Sequence, residues 1–171
     1  MNYYPIKVLI SDYYYYIISL IKNEQRYVYV NERSIIENYL RLIIGVTVEQ
    51  DHITSNTFEI LKSNKQEYLL NNDNFSLIKS EYTESCGYVH GSKLLETSLS
   101  YVFNECFCKK VTLKNRTKYY HKMSNMIKLF NKMLIIKFSE CISDSFHRKK
   151  TLLAYLIGDG NVDLLFQMLE R

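Results

Sequence analysis

Tryptophan is absent from this 171-residue chain, and proline occurs once, at Pro5. Stretches rich in Gly, Ser or Pro are missing too. That leaves no linker and no marked domain boundary, and the length suits one domain with its own core. No run approaches the roughly 20 apolar residues that a membrane-spanning helix needs. The chain opens Met1-Asn2-Tyr3-Tyr4-Pro5, and Lys7 and Asp12 interrupt the early apolar stretch. It therefore lacks the basic start, apolar run and small-residue cleavage site of a secretory signal. These absences predict an intracellular, cytoplasmic protein with no membrane span. In that setting the sequons Asn74-Phe75-Ser76 and Asn115-Arg116-Thr117 are chance matches.

Motifs that carry chemistry are missing as well. There is no G-x-S-x-G, H-E-x-x-H, P-loop or G-x-G-x-x-G, hence no nucleophile elbow, zinc-protease helix or phosphate-cradling turn. Four histidines (His52, His90, His121, His147) show no repeated ligand spacing. Of the four cysteines, Cys106 and Cys108 form a close pair, while Cys86 and Cys141 stand alone. A structural zinc site usually shows two close pairs at set spacing. In a reducing compartment these thiols act as small buried hydrophobes. The expectation is no catalytic residue, no metal, no cofactor and no enzyme activity.

What the chain does have is tyrosine, 16 copies, within a composition that is 47% hydrophobic. That is enough apolar surface for a packed core rather than disorder. The periodicity is mostly helical. Ile10, Tyr14, Ile17, Ile18 and Ile21 fall at helical spacing. The aromatic and β-branched run Tyr13–Lys22, followed by the alternation Arg26–Val30, also suits a small N-terminal β-hairpin turning at Asn23-Glu24-Gln25. Ser34 and Glu37 have capping-box spacing and predict a helix running to Gly45. Thr57–Leu70 predicts another, and Asn71–Asn74 a polar loop. Ser92 can cap a helix whose apolar face is Leu95, Leu99, Val102, Phe103 and Cys106. Met123, Met126, Ile127, Phe130, Met133, Leu134 and Ile142 mark a further apolar face. A helical pair follows Thr151, broken at Gly158-Asp159-Gly160. The expected fold is all-α: one compact helical domain over 1–171, ending in a helical hairpin, with or without the small β-hairpin.

Charge is unevenly placed. Between Lys109 and Lys150 stand twelve basic residues and two acids, against a net charge of +4 for the whole chain. Such a segment attracts phosphate, and the tyrosines within it offer faces for base stacking. Lys114, Arg116, Lys118, Tyr119, Tyr120 and Lys122 are the candidate nucleic-acid contacts. The alternative is a solvated helix face that balances the acidic remainder.

Three resemblances add to this reading. Thr151, Leu153, Gly160, Asn161, Asp163, Leu164, Leu165, Met168 and Leu169 make residues 151–170 resemble the paired helices of one ankyrin repeat. Leu152 stands where that family has Pro, Ala154 where it has His, and Leu156 where it has a small Ala. The resemblance implies a helical pair turning at Gly160 and a role in binding another protein. Leu153-Ala154-Tyr155-Leu156-Ile157-Gly158-Asp159-Gly160 is similar to the LAGLIDADG motif of homing endonucleases. That likeness implies a metal-binding acid at Asp159, although in that family a β-saddle follows the motif. Finally, a small, helical, Tyr-rich, Trp-free chain with an apolar tail at Leu164–Leu169 resembles the poxviral Bcl-2-like proteins. The groove signature around N-W-G-R is absent.

By elimination, the sequence predicts a non-enzymatic protein–protein interaction module. The Bcl-2-like resemblance implies a modulator of host innate-immune or apoptotic signalling. Its partner, a host or cellular protein, would be met by Leu153, Tyr155, Leu164 and Phe166, unless the leucines are core. The alternatives are nucleic-acid binding through 109–150 and a LAGLIDADG-like nuclease remnant.

Overall fold

A computed structural model describes residues 4–45, 55–90 and 116–170. All regular structure in these residues is helical. The order is α1 (Tyr4–Lys22), α2 (Gln25–Ile44), α3 (Ser55–Ser63), α4 (Asn72–His90), α5 (Arg116–Lys137), α6 (Ser139–Phe146), α7 (Lys150–Ile157) and α8 (Asp159–Leu169). The predicted face from Leu95 to Cys106, with its cap at Ser92, lies outside the described residues, as does Lys114.

The N-terminal β-hairpin does not form. Its strands are α1 and the start of α2, and Asn23-Glu24 is the turn between two helices. Asn23 takes the left-handed conformation, with φ 62°. The Glu24 N–H then bonds Ser19 O at 2.9 Å and the Asn23 N–H bonds Leu20 O at 3.3 Å. These two bonds form a Schellman stop, and Asn is among the few residues that adopt this conformation readily. The capping box is likewise overturned. Ser34 sits inside α2, and its hydroxyl bonds Asp12 Oδ2 on α1 at 2.6 Å rather than a backbone N–H. Asn38 Nδ2 joins the same carboxylate at 3.1 Å. Burial pushes the Asp12 pKa up, against these two hydrogen bonds. The predicted stop at Gly45 does hold, with φ 74° and its N–H on Arg41 O. Asn71 is the cap rather than the loop, since its side chain accepts the Asn74 N–H at 2.7 Å.

α2 lies at the centre of the first and larger core, packing against α1, α3, α4 and α5. Leu20, Val28, Ile35, Ile36, Leu40, Ile43, Leu61, Ile78, Met126, Phe130 and Met133 are fully buried there. The tyrosines enter this core with their hydroxyls satisfied, as buried aromatics with a polar tip require. Tyr39 stacks on Phe130, with ring centroids 4.5 Å apart, and donates to Asn131 Oδ1. Tyr13 donates to Tyr39 at 2.9 Å, and Tyr68 to Ile43 O.

α5 runs on into a second, smaller core of Ile135, Ile136, Leu153, Leu164 and Leu165. α8 packs against α5, α6 and α7. The long apolar face predicted from Met123 to Ile142 is thus split. α5 ends at Lys137, and Ile142 lies on α6. α7 and α8 bend through 117° at Gly158. The positive φ, 82°, is at Gly158, and Gly160 is inside α8, so the turn falls two residues before its predicted place.

Candidate interaction surfaces and a buried ion cluster

Where α2, α4 and α5 meet, the core holds three charges. Glu32 is fully buried on α2, between the buried Tyr29 and Ile35 and Ile36. Lys122 of α5 places its Nζ 2.9 Å from Glu32 Oε1 and 2.6 Å from Glu81 Oε2 of α4. Tyr29 and Tyr119 surround the ammonium, which lies 5.3 Å and 5.7 Å from their ring centroids. Tyr29 stacks on Tyr88 with centroids 3.7 Å apart and donates to Glu84 Oε1 at 3.0 Å. Two carboxylates thus face one cation, and burial pushes the Glu32 pKa up to about 7, against the pull of Lys122. Desolvation also raises the Tyr16 and Tyr29 phenols well above their usual range. The cluster locks three helices together. The groove beside it, lined by Phe75, Ser76, Lys79, Ser80, Thr83 and Glu84, is an open strip along α4 with one cation and one acid. Among the described residues no three His, Cys, Asp or Glu side chains converge on a metal position.

This geometry redistributes the predicted nucleic-acid contacts. Lys122 is turned inward and its charge is consumed by Glu32 and Glu81. Arg116 Nε donates to Asn23 Oδ1 at 2.8 Å, tying α5 to the α1–α2 turn. Tyr119 is partly buried, and its carbonyl accepts from Tyr16. Lys118 and Tyr120 remain exposed. The exposed lysines of α5 are Lys118, Lys128 and Lys137, and Lys137 lies 3.9 Å from Glu67. Among the described bases of the segment, Lys122 and Arg116 are thus taken up by contacts within the fold.

The predicted partner contacts also divide. Leu153 and Leu164 are core residues, 5% and 9% exposed, because α7 and α8 close on each other through them. Tyr155 is 86% exposed and Phe166 42%. Leu152 and Leu156, one helical turn from Tyr155 or adjacent to it, are exposed with it, as is Leu169 on α8. Lys150 Nζ lies 5.5 Å from the Phe166 ring. No single described helix is long and apolar enough to cross a membrane; α7 and α8 together reach the length and composition, but across a 117° bend. Asp159 is exposed in the first turn of α8.

A second apolar surface was not predicted as a surface at all. Ile10, Tyr14, Ile17 and Ile21 form one stripe along α1, and it is the outer one. The face turned to the bundle is Leu9, Tyr16 and Leu20, with Tyr13 beside them. α1 is apolar on both sides, and periodicity alone cannot say which stripe is buried.

No protein-family model, curated protein or solved structure matches the chain.

Proposed function

We propose that this chain is a non-enzymatic protein–protein interaction module that docks its partner on the apolar face of the terminal hairpin. Leu152, Tyr155 and Leu156 of α7 and Phe166 and Leu169 of α8 form that surface. The observation that carries the reading is the exposure of Tyr155, 86%, among apolar neighbours. Clustered exposed apolar side chains mark binding sites where single scattered ones do not, and Tyr is favoured as an anchor in such sites. Leu153 and Leu164 serve by holding the two helices together beneath it. The likeness of 151–170 to an ankyrin repeat points the same way, since that family binds proteins. The likeness to poxviral Bcl-2-like proteins extends the reading to a host signalling partner.

The test is affinity purification of the tagged full chain from cells, with and without nuclease, beside Tyr155→Asp and Leu156→Asp variants. Both positions are exposed, so both variants should fold. One or a few proteins that survive nuclease and are lost from both variants support the reading. A bound set that disappears with nuclease, and is instead lost on replacing Lys118 and Tyr120, moves the function to nucleic acid. Nuclease-resistant partners that ignore the Asp variants remove the hairpin from it.

A further inference from the structure

We propose that the outer stripe of α1 is the interface of a two-fold symmetric homodimer in which α1 packs antiparallel against α1 of a second copy. Ile10, Tyr14, Ile17 and Ile21 are 67%, 62%, 46% and 58% exposed. Tyr15 leans onto Tyr14, with ring centroids 5.4 Å apart, and widens the stripe. From Ile10 to Ile21 the exposed residues of α1 carry no charge, and Ser11 completes them. The acid of this stretch, Asp12, is held on the inner side by Ser34 and Asn38. A helix face that is apolar for four positions and uncharged throughout suits another apolar helix better than a charged partner.

The spacing selects a second copy as that helix. Steps of four, three and four residues are the seam of a heptad pattern, the period that keeps one stripe facing a neighbouring helix. Read backwards, four, three, four is the same pattern, so a two-fold axis between Tyr14 and Ile17 makes the stripe complementary to itself. Ile10 then meets Ile21 of the other copy, and Tyr14 meets Ile17. The same register carries Lys7, exposed one turn before Ile10, past the end of the other copy's α1 to the turn that holds Glu24. Glu24 makes no side-chain cap to α2, so its carboxylate has no competing role there. A parallel pairing would set Lys7 against Lys7. In area, the five apolar side chains leave roughly 100 Å² each open. With Lys7, Ser11 and Lys22 at the rim, two copies approach the lower bound of specific interfaces, about 1,200 Å² in total.

Sedimentation velocity of the full chain over about 1–100 μM tests this, a range that brackets the micromolar affinity expected of a small interface. The wild type should sediment as a dimer that dissociates on dilution. Ile17→Lys should be monomeric throughout, with helical circular dichroism kept because Ile17 is an exposed residue and not one of the buried core. Lys7→Glu should weaken association about tenfold or more, and adding Glu24→Lys should restore it. A wild type that stays monomeric, or a dimer that survives Ile17→Lys, overturns the proposal. Failure of the charge exchange to restore association overturns the antiparallel register. A monomer that floats with phosphatidylcholine–phosphatidylserine vesicles, and no longer does so as Ile17→Lys, assigns the face to lipid instead.

Discussion

A lysine among tyrosines decides how three helices sit. Lys122 compensates two carboxylates that would otherwise face each other across α2 and α4. Removing one partner of a buried ion cluster leaves an uncompensated charge, at a cost of roughly 3–5 kcal/mol. Lys122→Met should therefore lower the denaturation midpoint sharply at neutral pH, and Glu32→Gln in that background should recover part of the loss. The pH dependence follows from Glu32. Its pKa is about 7 in the folded chain against an ordinary 4.5. The folded state therefore keeps a proton that the unfolded chain has already released between those values. Stability should fall as pH rises through that window, by up to about 3 kcal/mol, and level off above 7. Lys122 acts at the other end: burial pulls its pKa down, but Glu32 and Glu81 together outweigh that and hold it above 10.5. Its contribution is present below 10.5 and lost as pH rises beyond it. Urea unfolding of the wild type and Glu32→Gln from pH 4 to 8 checks the first window, and the Gln variant should show a shallower profile there, keeping only the contribution of other groups such as Asp12. None of this is legible in the sequence. Lys122 reads as one of twelve bases in a charged segment, and only tertiary packing brings Glu32 and Glu81 to it.

The existence of most helices was readable from periodicity, though not that of α4, for which no helix was expected over Asn72–His90, and helix ends were readable only where the backbone itself demands a residue type. Gly45 was found because a left-handed stop favours glycine. Asn23 stood in a recognised turn, yet the elements on either side of that turn were open between strand and helix. Aromatic and β-branched residues suit strands, and here burial on helical faces overrides that preference. Ser34 and Glu37 match a capping box by spacing, but Asp12 competes for the serine hydroxyl and Arg33 for the glutamate, at 2.8 Å. The same logic separates Gly158 from Gly160. Gly158 has φ 82° and ψ 151°, a region open almost solely to glycine. Gly160 is helical, and a Cβ there would meet nothing within 4 Å. Gly158→Ala should destabilise the terminal hairpin by about 1–3 kcal/mol. Gly160→Ala should stabilise it by about 0.5–1 kcal/mol, because alanine loses less backbone freedom in a helix. Paired thermal melts decide it. Equal effects of the two substitutions would mean that the chain turns elsewhere.

At the scale of the whole molecule, the described residues form two cores of unequal size joined by one helix. The larger buries twenty residues and the smaller five, and α5 contributes to both. All-α architecture follows from the sequence because most segments carry a single apolar stripe, and a single stripe must face inward. α1 breaks that rule, which is why its helical spacing did not tell the outer stripe from the inner one; the terminal hairpin breaks it too, since Tyr155 and Phe166 lie outside while Leu153 and Leu164 lie between the helices. Local stability scales with buried apolar contact, so regions open in proportion to how little they bury. The terminal unit should open below the free energy of global unfolding, while α2, packed against four helices, should exchange only through it. Native-state hydrogen exchange should resolve the difference as faster exchange in α6, α7 and α8 than in α2. Leu165→Ala sharpens the test, since Leu165 is 1% exposed in the smaller core. Truncating it should cost that core roughly 2–5 kcal/mol. Exchange in α6–α8 should rise by orders of magnitude while α1, α2 and α4 keep their rates. If every helix accelerates together, α5 transmits the loss along its length and the two cores unfold as one. The docking face stands on either outcome, because Tyr155 and Phe166 are already exposed in the folded chain.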